Sequence, residues 1–229
     1  MYIDVVHGPQ WFSGLDLVLD LFSVFVLIII SILAWRYYKL NKANKKELYL
    51  FTGMTFLGVS FLLKILSYYA IYTTKFKLLY VHSIGKFIIN YYNPTYTNLF
   101  LGHVLFGLLG LLILFLIFEK IESKKTTFLL LFFILLLSFM STKVYQVFNL
   151  VFLGFVVLIA SSFWSNYSKN KLKSTKFLAW SFTVLSLSRL LFIFTNPELY
   201  VFAELLQFLG FALLLWSLIL VLKHAKKKR

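Results

Sequence analysis

Cysteine is absent from the 229 residues, and proline occurs only at Pro9, Pro94 and Pro197. Without cysteine the chain can form no disulfide, thiolate nucleophile or iron–sulfur centre. Acidic side chains are scarce: 8 Asp and Glu stand against 23 Lys and Arg, and all charges together make up 14% of the chain. That leaves no polar stretch long enough for a separate soluble catalytic domain. No HExxH, phosphate-binding glycine loop or nucleophile elbow occurs. The chain is therefore not expected to be an enzyme, an intramembrane hydrolase being the one catalytic class left open. Met1–Gly14 has no basic region ahead of an apolar core, so a cleaved signal peptide is not expected.

Apolar sequence dominates, with hydrophobic residues at 61%. A helix needs about 20 apolar residues to cross a bilayer, and such runs lie at 16–38, 48–72, 98–118, 126–141, 145–164, 175–195 and 200–222. They are continuously apolar, not alternating, which predicts helices and not a β-barrel. The fold class expected is an all-α integral membrane protein, one domain over residues 1–229, built as a seven-transmembrane-helix bundle. The connection at 73–97 carries Phe76, Leu78, Leu79, Val81, Ile84, Phe87 and Ile88. These suit either the apolar face of an interfacial helix or an ordered loop with aromatic anchors. Asn93-Pro94 marks a turn before the third span.

The net charge of +15 would suggest nucleic acid in a soluble protein, but in a membrane protein it records topology. One set of connections, with the C-terminal tail, carries seventeen cations; the opposite set has only Lys75, Lys77, Lys86 and Lys143. The positive-inside rule puts the N-terminus outside and the C-terminus in the cytoplasm of a multi-pass cell-membrane protein. Anionic lipid headgroups are the partners expected at the cytoplasmic rim, and no nucleic acid is expected.

Spans one to three and five to seven share a pattern. Trp35 or Trp164 precedes a basic connection, and a cation, Lys64 or Arg189, falls late in the helix that follows. This suggests a 3+1+3 plan in which span four connects two parallel units.

Charges inside hydrocarbon cost about 2.5–3.5 kcal/mol each at mid-helix on insertion scales, and they normally face inward and pair. Asp20, Lys64, His103, Arg189 and Glu204 fall within spans, and Gln207 lies one turn beyond Glu204. At about 1.5 Å per residue all six lie roughly 6–12 Å below the outer surface. Arg189–Glu204 is the expected ion pair across the short turn between spans six and seven, and Asp20–Lys64 is the second. Gly53, Ser60, Lys64 and Ser67 share one stripe of span two; Ala203, Gln207, Gly210 and Ser217 share one of span seven.

Of the histidines His7, His82, His103 and His224, only His103 is embedded, so a bis-histidine haem is not supported and no cofactor is expected. His103 is expected to be a hydrogen-bonded core residue and not a metal ligand. Microbial rhodopsins share the span count and orientation but need a lysine mid-way along the last span; span seven has none. The 3+1+3 sugar transporters rely on prolines within their helices, which this chain lacks.

The functional expectation is an outward-facing polar pocket formed by Asp20, Lys64, His103, Arg189, Glu204 and Gln207. It would serve receptor-like or sensory binding of a small ligand or ion arriving from outside, with output through a membrane partner protein. A small-solute or ion transporter is the second reading. It calls for polar residues continuing inward, and only Ser161, Ser162, Ser181 and Ser217 stand there. A non-catalytic subunit or scaffold of a membrane complex is the third.

Overall fold

A computed structural model describes residues 9–12, 14–43, 45–82, 94–121, 123–141, 144–194 and 196–227, with side-chain surroundings left out at 10, 71–82, 94 and 224–227. A short 3-10 helix, Gln10–Phe12, precedes seven α-helices: α1 Leu15–Leu40, α2 Lys45–His82, α3 Pro94–Phe118, α4 Lys124–Ser141, α5 Tyr145–Asn170, α6 Lys173–Ile193 and α7 Pro197–Lys227. No strand occurs among the described residues. All seven helices are long and apolar enough to cross a membrane, the build of a multi-pass membrane protein.

Helix starts follow local chemistry. Pro94 and Pro197 open α3 and α7; a missing N–H is harmless in the first turn, where it would have no intrahelical partner. Asn196 accepts the Glu198 N–H at 2.8 Å and so caps α7. The backbone of α2 stays helical to His82, well past the boundary expected at residue 72. The surroundings of Phe76, Leu78, Leu79 and Val81, and the whole of 83–93 with Ile84, Phe87 and Ile88, lie outside the described residues.

Six helices form a closed ring: α1 packs on α2, α2 on α3, α3 on α5, α5 on α6, α6 on α7, and α7 back on α1. Their side chains together enclose a central cavity of about 20 Å³, lined by Leu27, Leu57, Leu111, Phe152, Leu185 and Phe211 among others. Chain neighbours run antiparallel. Along α1–α2, Asp20 meets Lys64 and Trp35 meets Phe51; along α6–α7, Ser181 bonds Gly210 and Ser188 bonds Ala203. At α1–α7 and α3–α5 the helices run parallel. Phe12 meets Tyr200 and Phe22 meets Phe208 along α1–α7, while Phe100 meets Tyr145 and Phe118 meets Phe163 along α3–α5.

Helix α4 stands apart, touching α3 and α5. Only 17% of its apolar window is buried, against 50% for α3. Its exposed face is Phe128, Leu129, Phe132, Phe133, Leu136 and Phe139. This is what a lipid-facing helix requires, since lipid tails solvate Leu and Phe as well as a protein core does.

The small-residue stripes are packing seams. A Cβ on Gly110 would meet the Gly53 carbonyl oxygen at 2.9 Å, and one on Gly210 would meet Leu185 at 2.6 Å. Backbones approach closely at both places, setting α2 against α3 and α6 against α7.

Candidate functional site

The buried polar residues gather at the end of the ring where α1, α3, α5 and α7 begin. Asp20 lies in the second turn of α1, and Glu204 and Gln207 lie in the second and third turns of α7. Because α1 and α7 run parallel there, all three reach the same level. Lys64 arrives from α2 and Arg189 from the last turns of α6. No member of this group is more than 4% exposed.

Lys64 is the hub. Its Nζ donates to Asp20 Oδ1 at 3.0 Å and to Glu204 Oε1 at 2.8 Å. It also lies 2.9 Å from Asp20 Oδ2, an approach of opposite charges without hydrogen-bond geometry. Gln207 ties the carboxylates a second time, its Nε2 donating to Asp20 Oδ1 at 2.9 Å and to Glu204 Oε2 at 3.3 Å. Its Oε1 accepts from Arg189 Nη2 at 2.6 Å. The amide has one workable orientation: turned over, it would aim donors at a guanidinium and its oxygen at two carboxylates.

Asp20 and Lys64 pair as expected, but Arg189 and Glu204 do not. Side chains lean toward the N-terminus of their own helix. Arg189 on α6 therefore leans away from the α6–α7 turn and reaches Gln207, while Glu204 on α7 leans toward that turn and meets Lys64. The guanidinium rests on aromatic faces instead, its carbon 4.1 Å from the centroid of Phe152 and 5.2 Å from that of Phe192. Such cation–π contacts reach about 2 kcal/mol when desolvated. Arg189 Nε, fully enclosed, has no hydrogen-bond partner.

His103 stands beside the cluster and bonds to none of its members directly. Its Nδ1 lies 2.9 Å from the Ser60 carbonyl oxygen and 2.8 Å from Ser60 Oγ, and Ser60 Oγ donates to the His103 carbonyl at 2.8 Å. One assignment satisfies all three: an Nδ1–H shared between the Ser60 carbonyl oxygen and its Oγ, with the hydroxyl donating onward to the His103 carbonyl. This reciprocal clamp pins α2 to α3. Among the described residues no group of three or more His, Cys, Asp or Glu could hold a metal ion.

Among the described residues the six converge as a buried cluster, none more than 4% exposed. The space beside Lys64 is about 10 Å³, bounded by Ser67, Tyr68, Tyr96, Phe100, His103 and Tyr145. That is room for one water, which needs roughly 10–15 Å³. Phe12, 3% exposed, packs with Phe192, Tyr200, Val201 and Ala203 over the cluster's end, while its neighbour Trp11 is 71% exposed. Between this plug and α1 sits Gly14 at φ 98°, a left-handed conformation that glycine adopts without strain.

Sequence reasoning missed the Tyr68–Tyr200 hydroxyl pair at 3.0 Å, the Phe12 plug and the aromatic seat of Arg189. The first two come from chain segments at the rims of spans, where periodicity carries no signal. No protein-family profile, curated protein or solved structure matches the chain.

Proposed function

We propose that this is a receptor-like sensory protein of the cell membrane, oriented with its N-terminus outside, in which the Lys64 cluster holds a closed resting state. A small ligand or ion arriving from outside rearranges the cluster, and a membrane partner reads the resulting helix movement. The short basic connections between helices hold no signalling domain of their own, which supports a separate partner. The six-helix ring with α4 outside it supports the 3+1+3 reading, with α1–α3 and α5–α7 as parallel units.

The observation that carries the reading is that Lys64 bonds carboxylates on two different helices, α1 and α7, at 3.0 and 2.8 Å. Helices α2 and α7 are not among the pairs that pack along their length, so Lys64–Glu204 acts as a strut across the ring. A strut made of charge is broken by a change of charge, and that makes it a two-state element.

A transport path is less well supported. Ser181 and Ser217 donate to carbonyls of neighbouring helices at 2.8 and 3.0 Å, and Ser161 and Ser162 also donate to helix carbonyls. The central cavity is lined almost wholly by apolar side chains. The test is the distance between spin labels at the exposed positions Leu66 on α2 and Leu209 on α7. Glu204→Gln and Lys64→Gln are expected to shift the distance distribution. An unchanged distribution in both variants, with the fold intact, makes the cluster a static pin and removes the sensory reading.

A further inference from the structure

The cavity at the ring centre has one wall residue able to hydrogen-bond, and that residue is short of a partner. Among the described residues lining this space of about 20 Å³, only Arg189 carries a side-chain nitrogen or oxygen. The lining runs from Met54 to Phe61 on α2 and from Phe182 to Arg189 on α6, roughly 10 Å of helix in each case. Arg189 stands at the end that adjoins the charged cluster. Its Nη2 donates to Gln207 at 2.6 Å, while its buried Nε has no hydrogen-bond partner among the described residues. Both ion pairs of the described residues belong to Lys64, so no carboxylate is in ion-pair contact with the guanidinium.

The chemistry of the walls selects the occupant. A buried water needs two to four polar partners, and here it would find Arg189 alone. A plain hydrocarbon suits the walls but leaves a buried donor unsatisfied. An anion would meet the guanidinium, yet the formal charges of Asp20, Glu204, Lys64 and Arg189 already sum to zero. One more negative charge in an apolar space is costly. An uncharged hydrocarbon body bearing a single acceptor oxygen satisfies both the walls and the donor. The buried Met54 gives the wall some adaptability, being unbranched and polarizable.

We propose that the ring-centre cavity is the ligand site, and that its ligand is a small uncharged molecule of a few heavy atoms whose one acceptor oxygen bonds Arg189 Nε; this rests on the sensory reading above. The hydrocarbon body lies against Leu57, Leu185 and Phe211. Binding reaches the cluster through the guanidinium itself. Any shift of Arg189 moves Gln207, whose Nε2 serves Asp20 at 2.9 Å and Glu204 at 3.3 Å.

The experiment is NMR of the full chain in lipid nanodiscs with isotope-labelled arginine, of which there are three: Arg36, Arg189 and Arg229. The probes are acetone, isobutene and acetate, which share one shape but carry a neutral acceptor, no acceptor and a charged acceptor. Acetone is expected to shift the Arg189 Nε–H resonance saturably and to leave Arg36 and Arg229 in place. Isobutene and acetate should each bind about tenfold more weakly, or worse. Val156→Leu enlarges a wall residue without touching Arg189, and it should weaken acetone by a similar factor. An Arg189 resonance that acetone leaves unmoved, or moves equally in Val156→Leu, overturns the proposal. So does isobutene or acetate binding as tightly as acetone. The Leu66–Leu209 spin-label distance separates the two readings. If Glu204→Gln moves the helices while acetone is silent, the ligand class is wrong and the sensory reading stands. If acetone binds and the helices stay still, the site stands and the sensory reading falls.

Discussion

Arg189 donates to the side-chain oxygen of Gln207 at 2.6 Å, and this bond orients the amide whose nitrogen serves both Asp20 and Glu204. The guanidinium thus acts on the carboxylates through a neutral intermediary. Double-mutant cycles expose the order of coupling. Arg189→Ala with Gln207→Ala should show an interaction energy of about 0.5–3 kcal/mol, the range for groups in direct contact. Arg189→Ala with Glu204→Ala should couple more weakly. A larger coupling for the second pair, measured by denaturant unfolding in detergent, contradicts the arrangement.

Lys64 carries the greatest stability consequence. Lys64→Met leaves two buried carboxylates facing each other, and breaking a buried pair on one side costs roughly 3–5 kcal/mol. Adding Asp20→Asn and Glu204→Gln to Lys64→Met removes both stranded carboxylates and leaves Arg189, on its aromatic seat, as the one formal charge, so it should recover part of the loss. The thermal midpoint measures both. If the triple variant is no more stable than Lys64→Met, the cost lies in packing and not in charge.

Glycine substitutions separate seam from surface. Gly110→Ala places a methyl 2.9 Å from the Gly53 carbonyl oxygen and 3.0 Å from the Leu57 nitrogen, both backbone atoms that cannot step aside. It should force α2 from α3 and cost about 1–3 kcal/mol. Gly154→Ala meets nothing within 4 Å and should be neutral or stabilising by up to about 1 kcal/mol through helix propensity. Equal effects at the two sites would remove close α2–α3 approach as the reason for Gly110.

The Phe12 plug can be probed by hydrogen exchange. Phe12→Ala empties a buried aromatic position against Phe192 and Tyr200, where truncation costs about 3–5 kcal/mol when felt in full. Because the segment is short and joins α1 through the left-handed Gly14, the loss should appear as local opening. Faster exchange is expected in the first turns of α1 and α7, with the middle of α3 unchanged. Uniform acceleration would mean that the plug is part of the global core.

The seven helices were legible in the sequence because hydrocarbon imposes one rule on every span: about 20 apolar residues with backbone bonds closed internally. Helix ends were less so. Pro94 and Pro197 read as turns outside the spans, and both proved to be first helical residues, a position where proline costs nothing. The cluster's membership followed from the cost of burying charge, since Asp20, Lys64, Arg189 and Glu204 had nowhere to go but inward. Who pairs with whom did not follow. Partnership depends on helix order around the ring and on the lean of each side chain, and hydropathy encodes neither. Nor could a count of polar residues show how deeply the described members of the cluster are buried.

Helix α4 contributes no side chain to the cluster and little to the ring, yet it decides whether the cluster can exist. A polytopic chain alternates direction with every crossing, so the parity of the connector sets the polarity of everything after it. With α4 present, α5–α7 enter the bundle in the same sense as α1–α3, and Glu204 arrives level with Asp20. Deleting that single crossing would turn α5–α7 over, carrying Arg189, Glu204 and Gln207 to the opposite face and parting Lys64 from Glu204 and Asp20 from Gln207.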